Sequence, residues 1–211
     1  MTRRYSNLLG VDDAPFVREH RGDVAIVGAV CTRGRLDGVL RSKVRRDGVD
    51  STRRIAAMLR GSPFDAHVQA VVLQGIALAG FNVVDLHALS DAIERPVLVV
   101  ARRRPDLSAI RDALAKLPGG ARKWALTARA GATEPLAGVW VQRAGLTPAE
   151  ATALIEHSRV HGALPEPLRL ADVADQPEGG DAGDAEALRD FLAGDDDEVI
   201  EADEDASDLI A

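Results

Sequence analysis

Two apolar runs rich in β-branched residues, each followed by a helical pattern, limit the possible folds of this chain more than any other feature. Residues 68–73 and 96–101 are predicted as buried strands, and residues 82–94 and 106–117 as the helices that follow them. Strands that alternate with helices pair in parallel, because the helix carries the chain back across one face of the sheet. The sequence therefore predicts an α/β fold with flanking helices.

Three further strands are predicted before these two units and two after them. The early strands are predicted to pair as an antiparallel hairpin or meander, since only short turns separate them. The five predicted strands cover residues 7–11, 24–31, 36–46, 124–129 and 137–143. A helix is predicted between Asp50 and Gly61, and another from Thr147, which begins a capping pattern with Glu150, to about His161. Residues 165–169 then turn back over the body.

This order of elements predicts one folded domain, residues 1–174, and a separate tail, residues 175–211. Three antiparallel strands followed by parallel additions favour a ribonuclease H-like mixed sheet over a purely parallel, doubly wound sheet. Residues 175–211 are acidic and poor in apolar side chains, so they are predicted to be largely disordered apart from a helical turn near residues 185–192.

The net charge of −7 hides a division between a basic body and an acidic tail. Residues 171–211 hold sixteen acidic side chains and one basic one, a net charge of −15, whereas residues 1–170 have a net charge of +8. A positive body attracts phosphate backbones electrostatically, which favours DNA as a partner. The alternative is that the arginines only solvate exposed helices.

Several other classes of protein are excluded by simpler features. No apolar run is long enough for a membrane span or a signal peptide, and the single cysteine, Cys31, fits a reducing compartment, so a cytoplasmic protein is expected. The chain has no Gly-Lys-Ser or Gly-Lys-Thr sequence, so no nucleotide cofactor is predicted. The oligomeric state is left open.

Acidic residues outside the predicted helices indicate where chemistry could take place. Asp12 and Asp13 follow the first strand, Asp47 and Asp50 precede the first helix, and Asp85 follows the central strand. Carboxylates that converge at strand ends can hold one or two Mg²⁺ ions for phosphodiester cleavage. The alternative is a structural role, in which Asp12 and Asp13 form a turn before Pro15 and Asp50 caps a helix.

Six stretches, in order and at matching spacing over roughly residues 5–174, resemble the archaeal endonuclease-dU family, long known only as an uncharacterised protein family. The stretches are Gly-Val-Asp-Asp-Ala-Pro-Phe at residues 10–16, Leu-Asp-Gly-Val-Leu at 36–40, Asp-Gly-Val-Asp-Ser-Thr at 47–52, Leu-Gln-Gly-Ile-Ala-Leu-Ala-Gly-Phe-Asn-Val-Val-Asp at 73–85, Arg-Ala-Gly-Leu at 143–146 and Pro-Glu-Pro-Leu-Arg at 165–169. The resemblance implies a ribonuclease H-like fold related to endonuclease V. It also implies a metal-dependent endonuclease that acts on DNA containing deoxyuridine or other deaminated bases.

The resemblance makes Asp12 the metal ligand of the first strand. The family usually has Asp where this chain has Gln74, and often Glu where this chain has Arg53. A glutamine carbonyl can still bind Mg²⁺, but it lacks the charge of a carboxylate. The alternative function is therefore a catalytically weak or inactive relative that still binds nucleic acid.

The resulting hypothesis assigns three groups of residues. Asp12, Asp50 and Asp85 are the predicted catalytic residues, and Asp12, Asp13, Asp47 and Gln74 are the predicted ligands of Mg²⁺ or Mn²⁺. The residues predicted to contact DNA are Lys43, Arg102, Arg103, Arg104 and Phe81. His157 and His161 do not match a zinc-protease motif and are interpreted as surface or core histidines.

Overall fold

A computed structural model describes residues 4–174 together with Ile200 and Glu201. Its centre is an eight-stranded mixed sheet in the order β10-β3-β2-β1-β4-β7-β9-β8, and β5 and β6 form a separate small hairpin. The strands are β1 Asn7–Asp13, β2 Asp23–Thr32, β3 Arg35–Arg45, β4 Ala70–Gln74, β5 Ala77–Leu78, β6 Asn82–Val83, β7 Val97–Ala101, β8 Glu134–Leu136, β9 Val139–Ala144 and β10 Ile200–Glu201.

The strand pairing confirms the mixed α/β sheet predicted from the sequence. β1, β2 and β3 pair in antiparallel order, β1 pairs in parallel with β4, and β4 pairs in parallel with β7. β9 joins β7 in antiparallel order. The carboxyl ends of β1, β4 and β7 therefore meet at one edge of the sheet, together with the start of β2 and the end of β3.

Six helices flank this sheet in the described part of the chain: α1 Ser51–Arg60, α2 Leu86–Ile93, α3 Leu107–Leu114, α4 Gly120–Arg129, α5 Pro148–Ser158 and α6 Glu166–Ala174. α1 and α2 cover one face, where their apolar side chains pack on Leu9 and Val11 of β1. α5 and α6 cover the other face, where they pack on Leu8. Successive residues of β1 thus alternate between two cores. None of the described helices is long and apolar enough to cross a membrane.

Gly10 allows α6 to cross β1 in direct contact with its backbone. A Cβ atom at this position would lie 2.3 Å from the carbonyl carbon of Pro167, at the start of α6. Leu168, the next residue of α6, is fully buried, and α6 packs mainly on β1 and β2. The close approach sets the path of α6 toward the carboxyl edge of the sheet.

The structure corrects three predicted elements. Residues 124–129 were predicted as a strand but belong to α4, where Gly120, Lys123 and Thr127 are buried at helical spacing. Residues 82–94 were predicted as one helix, but α2 begins only at Leu86, because Asp85 caps it by accepting a hydrogen bond from the Ala88 N–H.

The third correction concerns residues 165–169, which lie largely in α6 rather than in a turn. Prolines are tolerated in the first turn of a helix because the N–H groups there have no partner within the helix. The predicted disordered tail, residues 175–211, lies outside the described residues except for Ile200 and Glu201. These two residues pair in parallel with Leu40 and Arg41 of β3.

Replacing Gly10 with alanine should force α6 away from β1. The expected loss in free energy of unfolding is about 3 kcal/mol. The new methyl group would overlap backbone atoms of Pro167 and Leu168, which cannot move without displacing α6. Urea unfolding measures the loss. Gly162→Ala is the matched control: its φ of +70° costs about 1 kcal/mol, but its Cβ would meet nothing within 4 Å. Equal losses in the two variants would contradict the close packing at Gly10.

Candidate active site at the carboxyl edge of the sheet

Asp12 is the most buried acidic side chain at the carboxyl edge. It is 7 % exposed, and its Oδ1 accepts a hydrogen bond from the Asp13 N–H at 3.0 Å. The groups that act on it electrostatically include Asp172 of α6 and Arg102, which follows β7. Burial, reinforced by the charges of Asp13 and Asp172, raises the pKa of Asp12 to about 7, although the Asp13 N–H and Arg102 lower it.

Gln74 ends β4 on the same face of the sheet as Asp12. Gly10 pairs with Val72 across β1 and β4, and Asp12 and Gln74 each lie two residues further along their strands. The Oε1 atom of Gln74 is buried and, among the described residues, has no hydrogen-bond partner. A buried carbonyl oxygen without a donor is costly, so this atom is poised to accept a donor or bind a cation.

Asp172 was not assigned a role by the sequence. It follows Leu168 by four residues on α6, and this spacing places both residues on the side of the helix that faces the sheet. Its charge contributes to the raised pKa of Asp12, so Asp172 lies within electrostatic range of that carboxylate. The Leu168–Asp172 spacing could have revealed it, but only if α6 had been predicted as a helix.

Asp13 lies on the opposite face of the sheet from Asp12. Its Oδ2 accepts a hydrogen bond from the Ala79 N–H at 3.0 Å, and burial raises its pKa. The Ala79 carbonyl in turn accepts a hydrogen bond from the Asp47 N–H at 2.9 Å. Asp13 thereby ties β1 to the turn between β5 and β6.

Asp47 belongs to the same hydrogen-bonded cluster beneath that turn. Its Oδ1 accepts a hydrogen bond from the Phe81 N–H at 2.9 Å, and its Oδ2 is 3.4 Å from Nε of Arg46. The buried Lys123 of α4 donates to the Asp47 carbonyl, and burial lowers the pKa of Lys123. The cluster connects the β3–α1 turn, the β5–β6 hairpin and α4.

Asp50 and Asp85 also have partners within the protein. Asp50 Oδ1 accepts hydrogen bonds from Asn82 Nδ2 at 2.6 Å and from the Arg45 N–H at 3.2 Å, and its side chain does not cap α1. Asp85 caps α2 and forms an ion pair with Arg129. The structure therefore brings Asp12 and Gln74 together with Asp172, and it places Asp13, Asp47, Asp50 and Asp85 in contacts on the α1 and α2 side of the sheet.

The residues predicted to contact DNA divide between two places. Arg102, Arg103 and Arg104 are exposed at the carboxyl edge, directly after β7. Phe81 is half-buried in the turn between β5 and β6, at the same edge. Lys43 is exposed on β3, two strands from β1. Arg53, which replaces the acid often found in the family, is half-buried in the first turn of α1.

The side chains around Asp12 carry the oxygen ligands that a hard divalent cation prefers, but these ligands are few. Asp12 and Asp172 supply carboxylate oxygens, and Gln74 supplies a buried amide oxygen; oxygen atoms are the ligands that Mg²⁺ and Mn²⁺ prefer. No cluster of three or more His, Cys, Asp or Glu side chains with suitable geometry occurs among the described residues. Any cation here would keep several water ligands.

The sheet order and its flanking helices define a ribonuclease H-like protein, as predicted. The structure is similar to that of Ciona intestinalis endonuclease V in complex with a 24mer DNA containing an inosine followed by a ribo-adenosine, with a TM-score of 0.53 and 9% identity over 90% of this chain and 87% of that one. The model of the endonuclease dU family matches residues 4–176 of this chain. The chain therefore belongs to the endonuclease dU family.

Two nearer relatives agree with this assignment. A UPF0215 protein of Deinococcus radiodurans is 53% identical over 169 residues, which are 80% of this chain and 86% of the relative. A solved Archaeoglobus fulgidus protein of unknown function has a TM-score of 0.76 and 32% identity, and the match covers 81% of this chain and 96% of that one. The relatives therefore include a bacterial protein as well as archaeal ones.

Asp12→Asn should stabilise the protein at alkaline pH in buffer with EDTA. Because the pKa of Asp12 rises from 3.8 to about 7 on folding, the folded state binds a proton that the unfolded state releases, and stability is lost as pH rises through this range. The gain in free energy of unfolding should grow from near zero at pH 4 to as much as about 4 kcal/mol at pH 8. Urea unfolding at several pH values measures it.

The exposed Asp112 of α3 gives the matched control, since Asp112→Asn removes a carboxylate without changing the buried edge. The difference between Asp112→Asn and the unsubstituted protein gives the background effect. An Asp12→Asn gain no larger than this background at any pH would contradict the burial of a strained carboxylate at Asp12.

Proposed function

We propose that this protein is a Mg²⁺- or Mn²⁺-dependent endonuclease that cleaves DNA containing deoxyuridine or other deaminated bases. Membership of the endonuclease dU family and the likeness to endonuclease V bound to inosine-containing DNA support the proposal. The observation that carries it is the buried Asp12 carboxylate, which shares its environment with Asp172 beside the unpartnered oxygen of Gln74. We expect the protein to act in the cytoplasm, where its buried Cys31 stays reduced.

Asp12, Asp172 and Gln74 are the residues that would hold the cation. When bound, a divalent cation polarises the scissile phosphate and lowers the pKa of the attacking water. Asp12 is held in place by the rigid end of β1, and Asp172 by α6, which packs directly on β1 at Gly10. The negative charges of Asp12 and Asp172 act on each other, so together they attract positive charge to this edge.

The arginines after β7 would position the DNA backbone. Arg102 is exposed and lies close enough to Asp12 to lower its pKa, so its guanidinium can contact a phosphate near the cation site. Arg103 and Arg104 extend the positive charge along the same loop, and Lys43 adds to it on β3. The basic body, with a net charge of +8 over residues 1–170, provides the longer-range attraction.

The alternative function, a weak or inactive nucleic-acid-binding relative, is favoured by Gln74 and Arg53. A neutral amide in place of a carboxylate reduces the negative charge that holds the cation, so this chain should need a higher Mg²⁺ concentration than a relative with Asp at that position. Binding without cleavage would then be the activity, and its affinity would fall steeply with salt.

Incubating the full chain with a labelled duplex that carries one deoxyuridine tests the proposal. Nicking should require Mg²⁺ or Mn²⁺ and should stop with EDTA. Asp12→Asn and Asp172→Asn should each reduce the rate by at least about 100-fold, because each removes a negative charge that would hold the cation. Gln74→Asp should raise the rate or lower the Mg²⁺ concentration required.

Matched Asp-to-Asn substitutions separate this assignment from the one predicted by sequence. Asp13→Asn, Asp47→Asn, Asp50→Asn and Asp85→Asn should lower the melting temperature but change the rate of nicking little, because each replaces the charged acceptor of an internal hydrogen bond with a neutral amide. Cleavage that survives both Asp12→Asn and Asp172→Asn would overturn the proposed site. Retention of the duplex without nicking, even with Gln74→Asp, would favour the binding relative.

A further inference from the structure

Aromatic side chains are scarce in this protein but concentrate at the carboxyl edge of the sheet. The whole sequence has two Trp, one Tyr and four Phe. Phe16 follows β1, Phe81 lies in the β5–β6 turn, and Trp140 is paired with Ala101 at the end of β7. Trp124 lies on α4 next to Lys123, whose amine contacts the Asp47 turn at this edge. Four of the seven aromatic residues therefore belong to elements that reach this edge.

Trp140 carries an arginine over its ring. The guanidinium carbon of Arg104 lies 5.4 Å from the ring centroid, and Trp140 is only partly buried. Arg104 belongs to the same short loop as Arg102, which acts electrostatically on Asp12. The loop after β7 thus connects the acidic site directly to this tryptophan.

Trp124 is covered in the same way. The guanidinium carbon of Arg111, on α3, lies 5.7 Å from the centroid of the Trp124 ring, and this tryptophan is also partly buried. Lys123, the preceding residue, anchors α4 beside Phe81 through the Asp47 carbonyl. α4 therefore reaches this edge through Lys123, and Trp124 lies one residue further along the helix, against Arg111 of α3.

Within the described residues, the side chains of Arg104 and Arg111 make no hydrogen bond or ion pair besides these ring contacts. Both side chains belong to exposed residues, and neither forms an ion pair with a carboxylate there. Arg46, by contrast, lies over Phe16 and also donates to the carbonyls of Arg18 and His20, so its stack secures a loop. Among the described residues, the arginines of the two tryptophan stacks make no such hydrogen bonds to a loop.

We propose that Trp140 and Trp124 are platforms on which unpaired bases of a DNA strand stack as the strand enters the site. Every base has a π-face that can stack on an indole ring, and an arginine displaced from the ring can turn to a neighbouring phosphate. The inference rests on the proposed function for its ligand, a nucleic acid. It adds that the protein binds a locally opened or single-stranded segment rather than a closed duplex.

The spacing of the strands supports this arrangement. Asp12 on β1 and Trp140 on β9 are separated by three strand spacings, with β4 and β7 between them. At about 4.8 Å per spacing, the two positions are about 14 Å apart along the sheet edge. Val139 and Val141, on either side of Trp140, pack in the same core as Leu8, so Trp140 and Asp12 point to opposite faces of the sheet. A single strand that has one base on Trp140 and a phosphate near Asp12 would therefore cross the carboxyl edge of the sheet.

Intrinsic fluorescence tests the proposal directly, because the chain has only these two tryptophans. Single-tryptophan proteins are made as Trp124→Phe and Trp140→Phe, and each is titrated with a 12-nucleotide oligodeoxythymidine of about the length such grooves bind. The buffer contains EDTA and low salt, so that no cleavage occurs. Stacking should quench the fluorescence of both proteins, with saturation at the same oligonucleotide concentration.

Removing the aromatic ring of Trp140 should weaken oligonucleotide binding more than removing a positive charge at the opposite edge of the sheet. Trp140→Leu should raise the Kd for the oligonucleotide by at least about fivefold, whereas Trp140→Phe should keep most of the affinity because the ring is retained. Arg35→Gln, which removes an exposed positive charge at the start of β3 on the opposite edge, is the control for loss of charge away from the site and should change the Kd little. Thermal melting of each variant confirms that it is folded.

Three outcomes would overturn the platforms: no quenching in either single-tryptophan protein at saturation, equal Kd values for Trp140→Leu and Arg35→Gln, or tighter binding of a blunt 12-base-pair duplex than of the single strand. None of them depends on cleavage. Quenching of tryptophan fluorescence by the oligonucleotide, combined with no nicking of the deoxyuridine duplex in Mg²⁺, would instead support the platforms and refute the proposed nuclease activity.

Discussion

The burial of one carboxylate, Asp12, between β1 and α6 is the interaction on which the rest of the site depends. A charged group in this position is unfavourable on its own, and the neighbouring Asp172 increases the cost. The fold nevertheless holds both groups in place, because Gly10 lets α6 pack directly on the backbone of β1. Such stored electrostatic strain is common where a protein must bind a cation or a reacting group.

Because successive residues of β1 point to opposite faces of the sheet, the proposed cation ligand Asp12 and the structural residue Asp13 lie on different sides. Asp12 faces α6 and Gln74, whereas Asp13 faces the opposite side and bonds to Ala79 in the β5–β6 turn. On that side, the Asp47 carbonyl and the buried Lys123 connect the turn to α4. Two adjacent acidic residues thus have different surroundings, and the side that supports the site also carries Trp124 next to Lys123.

Much of the fold could be predicted from periodicity. The runs at residues 68–73 and 96–101 correctly predicted parallel strands, since their β-branched residues are buried on both faces. α4 was missed because a short apolar run that includes Trp124 looks the same in a strand and in a buried helix turn. α6 was missed because Pro165 and Pro167 suggested a turn, although prolines suit the first turn of a helix.

The site residues could likewise be predicted only where the element that carries them was predicted. Asp12 and Gln74 could be placed together because parallel strands end at one edge, and Arg102 because it follows the third parallel strand. Asp172 could not be found, since its position depends on α6. The acids at Asp47, Asp50 and Asp85 are near the edge in sequence, but their hydrogen bonds to backbone and side-chain donors become visible only in three dimensions.

The most direct test of the central claim is the binding of Mn²⁺, measured by the loss of the free-ion electron paramagnetic resonance signal in the absence of DNA. If Asp12 and Asp172 form the cation site with Gln74, Asp172→Asn should weaken Mn²⁺ binding by at least about tenfold, while Asp13→Asn should leave it within about twofold. The opposite ranking of these two variants would place the cation on the other face of the sheet and contradict the site described above.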